Sequence, residues 1–462
     1  MVRLLILTVA FWTFLARAAD TPVYVVLWFD TEDYIEPSAD DAALRLARDL
    51  EKLGVRATFK IVGEKARVLE ARGRRDVIRA LARHDIGYHA ETHSIQPAPA
   101  VYLRELGWLE GAQEFERREG QGVADIRRLF GVTPSCYGQP GSSWGPQSYR
   151  ALLRMGIPVY LDEGSHVRLD DQPFWFGGML HVFGMGRFVL RASLKEGDQL
   201  EDTLRRFDED AAELRRRGGG LISIYYHPTE FVTNEFWDGV NFPRGQSRER
   251  DQWSPPRRRT TEDSERCYRL LTRWVEHMKK APDVRFVTAR DLPQLYQNQR
   301  GSYATEEIRR HLAERQTFLA GDKGVLSAAE MLQILLGIEP LAVEGPAARR
   351  ATTYAAREIG RPAFERAKTD VASFIRAHRR LPSEVWIGAW YLSLPDFAAT
   401  LAGDTGGATV SVQTGKPEME RHIASDPVRT FNWVIHPEGF EGSALLELAR
   451  LQAWTLKPAR LR

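Results

Sequence analysis

The sequence feature that most constrains the fold is an alternation of short apolar runs with amphipathic segments between residues 23 and 288. The first run, Val23 to Phe29, is almost continuously apolar and rich in β-branched and aromatic residues, which is typical of a strand buried on both faces. Asp40 to Leu53 then carries apolar residues at helical spacing and stops at Gly54. This alternation recurs about seven times. It predicts an α/β fold with a parallel sheet, because consecutive parallel strands need a crossover, usually a helix.

The remaining elements follow the same rhythm, and the length of the repeat suits a distorted (β/α) barrel of about seven parallel strands better than an open sheet. In that architecture, chemistry takes place at the C-terminal ends of the strands. Further strands are predicted at Ala57 to Val62, Ile86 to His89, Cys136 to Gln139, Pro158 to Leu161, Leu221 to Tyr226 and Val284 to Thr288. Helices are predicted at Glu64 to Arg83, Val101 to Arg118, Gln147 to Met155, Leu200 to Arg217 and Glu262 to Lys280.

Two aromatic segments interrupt the alternation. Asp170 to Arg191 is predicted to be an extra hairpin, and Thr229 to Arg259 a long loop. Long aromatic loops near strand ends often form substrate walls, since flat rings stack on sugar faces. Covering the barrel rim is the alternative, and the sequence leaves both open.

A polar stretch from Gln297 to Tyr303 ends the alternation. It predicts a barrel domain over residues 20–299 and a smaller, mostly helical, separable region over residues 300–462. Within that region, Ser327 and Ser393 are each placed to cap a helix, with an acid three residues later. The pattern recurs after about 66 residues, which indicates an internal repeat.

Residues 1–19 have the basic start, apolar run and small-residue end of a secretory signal peptide. The apolar run, Leu4 to Leu15, is too short to span a bilayer comfortably. We therefore expect export to a periplasm, the cell surface or the extracellular space. Two cysteines, Cys136 and Cys267, would then meet an oxidising compartment, and one disulfide or two buried thiols are equally compatible with the sequence.

The overall composition is that of a soluble globular protein, with 43% hydrophobic and 27% charged residues. Basic and acidic residues number 64 and 62, a balance that gives no reason to expect a nucleic-acid partner. No segment of the mature chain is predicted to cross a membrane.

Polar residues end several of the predicted strands at the edge where chemistry is expected. His89 and His93 lie four residues apart, and on a helical turn this spacing would bring both rings to one metal ion. Surface or satisfied core histidines are the alternative for such a pair considered alone. The strand-end residues that would accompany the pair are Asp30, Pro140, Asp162 and His227.

In these motifs the chain from about Val23 to Leu295 resembles the polysaccharide deacetylase family, the NodB-homology or carbohydrate esterase family 4 type of domain. The segment Phe29-Asp30-Thr31-Glu32-Asp33 resembles the family's first motif. His89 to His93 resembles its His-(Ser/Thr)-x-x-His motif, with Ala90 in the Ser/Thr place. Ala57 to Gly63 resembles its second strand, and Ile222 to Pro228 its last motif. The resemblance implies a distorted barrel with one divalent metal ion, usually zinc.

The resemblance also implies roles for the residues that match. His89, His93 and Asp33 would hold the metal, with Glu32 as the alternative carboxylate. Two imidazoles and one carboxylate leave positions open for water and a substrate carbonyl. Asp30 would be the general base, and His227 the general acid that protonates the departing amine.

The third motif departs from the family pattern. Matching Tyr137-Gly138-Gln139-Pro140-Gly141 to it places Gly138 where relatives have the arginine that orients the catalytic aspartate. Lys60 could supply the missing charge, and Asp162 could act as a supporting carboxylate. The Gly141 N–H is expected to stabilise the oxyanion, with Pro140 and Tyr137 beside the substrate.

These expectations define an exported, metal-dependent hydrolase that removes N-acetyl groups from a cell-envelope or extracellular polysaccharide. One alternative is hydrolysis of another non-peptide C–N bond, such as that of a cyclic ureide. Another is a glycan-binding protein without turnover. Val371 to Leu401 also resembles the pseudomurein-binding type of cell-wall repeat, which implies that the C-terminal region binds a wall polymer.

Overall fold

The computed structural model describes residues 21–194 and 199–462, so the predicted signal peptide lies outside the described residues. The main sheet has eleven strands. They are β1 Val23–Thr31, β2 Thr58–Ile61, β3 Asp85–Tyr88, β4 Cys136–Tyr137, β5 Val159–Leu161, β6 Phe174–Phe176, β7 Met179–Val182, β8 Val189–Leu190, β9 Gly220–Tyr226, β10 Val284–Val287 and β17 Lys457–Pro458. Three two-stranded ladders pair β11 Leu319–Gly321 with β12 Gly324–Leu326, β13 Glu358–Gly360 with β16 Thr409–Ser411, and β14 Glu384–Ile387 with β15 Trp390–Ser393.

The main sheet is mostly parallel and curls into a half-barrel. Its order is β17-β6-β7-β5-β4-β3-β2-β1-β9-β8, and β10 pairs with the first half of β1. Within the described part of this sheet, β6 alone runs against the other strands, because it pairs antiparallel with both β7 and β17. The predicted α/β fold and all seven predicted parallel strands are confirmed. Closure is not complete, because no ladder joins the end strands β8 and β17 among residues 21–194 and 199–462.

Helices pack against the sheet along amphipathic faces. In the first of them the face carrying Ala43, Leu46 and Leu50 is buried. The helices of the first part are α1 Ser38–Lys52, α2 Gly63–Ala71, α3 Arg75–Leu81, α4 Pro99–Leu103, α5 Trp108–Phe130, α6 Ser148–Arg154, α7 Leu200–Arg216, α8 Trp237–Asn241, α9 Thr261–Lys279 and α10 Leu292–Leu295. Residues 174–182 form the predicted extra hairpin, β6 with β7.

The C-terminal region contains two copies of one arrangement. In each, a helix precedes a two-stranded hairpin and a second helix follows it. Ser327 and Ser393 accept hydrogen bonds from the backbone N–H of Glu330 and Asp396, so both predicted caps are confirmed. Besides its hairpins, the region comprises α11 Thr305–Glu314, α12 Ala328–Leu335, α13 Arg361–His378, α14 Leu394–Ala402, α15 Pro427–Thr430 and α16 Ser443–Gln452.

The end of the chain returns to the main sheet. β17 pairs with β6, and the backbone N–H of Ala459 donates to the carbonyl of Pro173 at 2.9 Å. The last residue, Arg462, donates from its backbone N–H to the carbonyl of Leu295 at 3.0 Å. The boundary near residue 299 stays a prediction, but the region beyond it supplies an edge strand as well as helices.

Two further expectations concern the whole chain. Cys136 and Cys267 are both buried free thiols, so the structure favours the thiol alternative over a disulfide. Within the described ranges, no helix combines the length and apolar character that crossing a bilayer requires.

Candidate metal centre and catalytic site

The parallel register gathers the predicted polar residues at one edge of the sheet. Asp30 on β1 lies beside Lys60 on β2. His89 directly follows β3, Asp162 directly follows β5, and His227 directly follows β9. All these positions lie at the C-terminal ends of parallel strands, as the sequence predicts.

Three side chains converge on one point at this edge. The Oε2 atom of Glu32 lies 3.1 Å from Nε2 of His89 and 3.0 Å from Nε2 of His93. All three residues are at most 3% exposed. One carboxylate oxygen and two imidazole nitrogens form a donor set suited to a divalent metal such as zinc.

The two histidines are not held on a helix, which corrects the expectation drawn from their spacing. His89 follows β3, and the chain then turns through a loop in which Ala90 and His93 adopt left-handed backbone angles, with φ of 67° and 61°. Such angles are costly for residues other than glycine and concentrate at functional sites. The loop, rather than helical periodicity, turns both rings toward Glu32.

Asp33 does not contact the histidines, so its predicted role as the carboxylate ligand is corrected. Its Oδ1 accepts hydrogen bonds from the backbone N–H of Ile35 and Glu36, both at 3.0 Å. Its Oδ2 accepts from the hydroxyl of Thr229 at 2.8 Å. Asp33 therefore fixes the turn after β1 and joins it to the segment after β9, and Glu32, the alternative, is the ligand candidate.

Each metal-ligand candidate is oriented by a second hydrogen bond. The indole of Trp237 donates to Oε1 of Glu32 at 3.0 Å, which leaves Oε2 facing the histidines. The Nδ1 of His89 lies 3.0 Å from the carbonyl oxygen of Gly138, so this nitrogen carries the proton and Nε2 keeps its lone pair. The Nδ1 of His93 lies 2.6 Å from the Ser94 hydroxyl.

The electrostatics differ among the three members of the cluster, since burial lowers the pKa of His93 but Glu32 outweighs this and raises it. Burial alone would raise the pKa of Glu32, but His93 and His227 outweigh it and hold that pKa well below the usual range. Burial lowers the pKa of His89, which favours the neutral imidazole that binds metals. Glu32 is thus held as an anion between the two imidazoles.

Lys60 occupies the position between the proposed base and the supporting carboxylate. Its fully buried Nζ lies 2.9 Å from Oδ1 of Asp30 and 2.7 Å from Oδ2 of Asp162, and donates to the carbonyl of Leu161 at 2.9 Å. Burial opposes the charge of Lys60, yet Asp162 and Asp30 outweigh it and raise the pKa of the amine. The sequence-based expectation that Lys60 supplies a compensating charge agrees with this geometry.

Gly138, which the resemblance aligns with an arginine, has no room for a side chain. A Cβ atom built on Gly138 would lie 2.0 Å from Nζ of Lys60, 2.1 Å from Oδ2 of Asp162 and 2.8 Å from the carbonyl oxygen of Leu161. The lysine and its partner already fill the space that a side chain at this position would enter. The cation thus comes from β2 instead of the loop after β4.

His227 lies on the other side of Asp30, with Nε2 3.7 Å from Oδ2 of that aspartate. Its Nδ1 is 3.0 Å from Oε2 of Glu230, which also ion-pairs with Arg191. Burial alone would lower the pKa of His227, but the carboxylates of Glu32 and Glu230 raise it to about 9. The ring is therefore held in its protonated form near neutral pH.

These groups open into a cleft of about 520 Å³. Gly141, with φ of 51°, lines it, and the ring of Trp433 lies against this glycine so closely that a Cβ there would be 2.2 Å from the indole. Trp433 comes from the C-terminal region, and its backbone N–H donates to Ser142 Oγ at 3.1 Å. Phe236, from the long aromatic loop that was expected to form either a substrate wall or a rim cover, also lines the cleft. Residues that line it without having been predicted include Glu163, His166, Arg168, Arg191, Tyr225, Arg429 and Asn432.

Two predicted substrate neighbours lie elsewhere. Tyr137 is 1% exposed and packs against Tyr88, Phe115 and Tyr160 in the core. Pro140 is also buried, and neither residue lines the cleft. Their strand-end positions suggested substrate contact, but the side chains point into the packing between sheet and helices.

Comparisons with known proteins give structural neighbours only. No family model matches the chain, and no curated protein matches it. A solved structure named as a polysaccharide deacetylase from Mycobacterium smegmatis is 14% identical, with a TM-score of 0.40, and covers 60% of this chain and 90% of its own. PuuE allantoinase is also 14% identical, with a TM-score of 0.38 and coverages of 59% and 90%. A family 4 acetyl xylan esterase from Clostridium thermocellum, in complex with a cobalt ion, is 16% identical, with a TM-score of 0.31 and coverages of 59% and 90%.

Proposed function

We propose that this protein is an exported, metal-dependent hydrolase that removes N-acetyl groups from a cell-envelope or extracellular glycan. The observation that carries the proposal is one arrangement of side chains. A donor set of Glu32, His89 and His93 lies beside Asp30, and Asp30 in turn lies 3.7 Å from His227. A carboxylate base and a protonated imidazole acid flanking a metal-type site are the parts that amide hydrolysis needs.

Glu32, His89 and His93 would hold the ion. When bound, a divalent ion such as zinc would supply Lewis acidity, which polarises an acyl carbonyl and makes water more acidic. Asp30 accepts the proton of the attacking water, and Lys60 holds Asp30 in position through its 2.9 Å contact.

His227 donates a proton to the departing nitrogen, since an amide nitrogen leaves poorly as an anion. Glu230 holds the ring through Nδ1, which directs Nε2 toward the cleft. The Gly141 N–H bonds to no acceptor among the described residues, so it can donate to the oxyanion that forms after attack.

The walls of the cleft support a sugar substrate. Tyr225, Phe236 and Trp433 place three aromatic rings along it, and rings of this kind stack on sugar faces. The signal-like start of the chain supports a substrate outside the cytoplasm and disfavours a cytoplasmic ureide. Because a base and an acid are both in place, the geometry also disfavours a binding protein without turnover.

Acetate release from a panel of N-acetylated oligosaccharides tests the proposal. Asp30→Asn and His227→Ala should each lower kcat by at least about a hundredfold, the usual scale for general acid and base groups. Both variants should retain the metal, as measured by mass spectrometry of the purified protein.

A matched pair of variants tests which residues bind the metal. Glu32→Gln should lose metal and activity together, whereas Asp33→Asn should retain metal because Asp33 only fixes a turn. His89→Ala and His93→Ala should behave like Glu32→Gln. Full metal occupancy in Glu32→Gln, or undiminished turnover in Asp30→Asn, would contradict the assignment.

A further inference from the structure

Two arginines at the mouth of the cleft form no ion pair with any residue that the structure describes. Arg168 and Arg429 are both exposed and both line the cleft. No carboxylate in residues 21–194 or 199–462 lies within 4.0 Å of either guanidinium, and neither donates a side-chain hydrogen bond there. The third lining arginine differs, because Arg191 is paired with Glu230.

The segments that carry these arginines are joined by backbone hydrogen bonds. Val167 and Ile423 form an antiparallel bridge. Beside it, the N–H of Arg168 donates to the carbonyl of His422, and the N–H of Ala424 donates to that of His166, both at 3.0 Å. The barrel loop and the C-terminal loop therefore present their arginines from one connected wall.

The second arginine is also held by its own turn. The Oδ1 of Asp426 accepts a hydrogen bond from the N–H of Arg429 at 2.9 Å and caps the short helix α15. Three residues past that helix, the N–H of Trp433 donates to Ser142 beside the catalytic loop. The guanidinium of Arg429 therefore stands on a loop that is fixed at both ends.

Three carboxylates of the cleft are committed to other partners. Asp30 and Asp162 share Lys60, and Glu32 lies between two histidines. The acidic residues nearest to Arg168 along the chain are Asp170, Asp171 and Glu163, and none of them lies within 4.0 Å of its guanidinium among the described residues. Burial raises the pKa of Glu163 to about 7, although Arg168 opposes this. The positive charge at the mouth is therefore available to a ligand.

We infer that Arg168 and Arg429 form a subsite for the carboxylate of an acidic sugar next to the N-acetylated sugar in the substrate. Guanidinium groups bind carboxylates through paired, charge-assisted hydrogen bonds. The indole of Trp433 lies against Gly141 in the same cleft, where it can stack on a sugar ring. This inference rests on the proposed function and specifies its substrate as an anionic, N-acetylated glycan.

A matched set of substrates tests it. The first is an oligosaccharide that alternates N-acetylated amino sugars with uronic acids, and the second is the same compound after reduction of its carboxylates to alcohols. A third carries its carboxylate on a lactyl ether, which distinguishes the two sources of the anionic group. The wild-type protein should prefer a carboxylated substrate over the reduced one by about tenfold in kcat/KM at low salt. The preference should shrink as salt screens the exposed arginines.

The double variant Arg168→Gln with Arg429→Gln should bring the ratio of kcat/KM for carboxylated and reduced substrates close to one. Arg285→Gln is the matched control, because Arg285 is exposed and pairs in register with Tyr24 at the start of β1, far from the cleft mouth. It should keep the wild-type ratio. Equal kcat/KM for all three substrates in the wild-type protein would overturn the inference.

Calorimetric binding of the same oligosaccharides to the metal-loaded protein separates this inference from the proposed function. Preferential binding of the carboxylated compounds without acetate release would refute the deacetylase proposal and leave the subsite standing. Acetate release with no preference in binding or turnover would refute the subsite alone. Loss of preferential binding in the double variant, with retention in Arg285→Gln, is the result we expect.

Discussion

Replacing Lys60 by methionine is the perturbation that most directly tests the organisation of the site. Methionine keeps much of the volume of the side chain but removes the charge between Asp30 and Asp162. Burial already raises the pKa of Asp162 to about 7 beside Lys60. Without the cation, the two buried carboxylates would compete for one proton over a wider pH range. A protonated Asp30 cannot accept the proton of water.

The size of the expected loss of stability follows from the burial of Lys60. Lys60 is fully buried, and removal of one partner of a buried ion pair typically costs about 3–5 kcal/mol of the free energy of unfolding. The carboxylate pair should also move the acidic limb of the kcat profile to higher pH by at least about one unit, which corresponds to about 1.4 kcal/mol. Turnover at pH 7 should therefore fall by at least about tenfold beyond any loss of folded protein.

The assay is acetate release between pH 5 and 9, combined with urea unfolding at each pH. Lys457→Met is the matched control, because Lys457 is also buried and ion-paired, with Glu330 at 2.8 Å, but lies on β17. It should lower stability without moving the pH profile. In Lys60→Met with Asp162→Asn, the neutral amide should restore part of the stability and return the acidic limb toward its original position. An unmoved acidic limb in Lys60→Met would refute the reasoning.

Three further predictions concern the acid, the third motif and the C-terminal hairpin. Glu230→Gln removes a carboxylate that raises the pKa of His227 to about 9, so the alkaline limb of the kcat profile, where the acid loses its proton, should move to lower pH at equal metal loading. Gly138→Ala should cut turnover by at least about tenfold and lower the melting temperature, because its Cβ would lie 2.0 Å from Nζ of Lys60. A variant with full activity and an unchanged pH profile would argue against this close packing. Trp386 and Trp390 are 54% and 59% exposed on the β14–β15 hairpin. If they bind a wall polymer, alanine at both positions should reduce pull-down of the protein with purified wall material, while acetate release from short oligosaccharides continues. Equal pull-down of the variant and the wild-type protein would contradict that role.

Strand-level features of the site could be predicted because they depend on local pattern and on the direction of parallel strands. Asp30, Asp162 and His227 lie at strand ends, and one shared direction brings strand ends together. The supporting role of Lys60 was accessible in the same way, since β2 neighbours β1. The periodicity of the sequence is therefore enough to predict which residues lie at the ends of neighbouring strands.

Loop conformation could not be predicted in this way. The choice between Glu32 and Asp33 depends on which carboxylate is satisfied by backbone N–H groups, and adjacent residues in a turn give no periodic signal. The left-handed angles of Ala90 and His93 are likewise exceptional for their residue types. The prediction that Tyr137 lies beside the substrate was wrong, because a residue at a strand end can point into the core as readily as into the cleft.

The C-terminal region shows a third limit, set by distance along the chain. Trp433 and Arg429 reach the cleft from nearly 300 residues beyond Ser142, and such contacts leave no local pattern. These two residues allow the C-terminal region to affect catalysis directly, because a wall of the catalytic cleft contacts the substrate in the transition state. A separate binding module would only raise the local concentration of substrate. The exposed hairpin and the cleft loop lie on different parts of this region, so the two effects can be separated by substitution: loss at the hairpin should act only on polymeric substrate, and loss at the loop should act on short oligosaccharides as well.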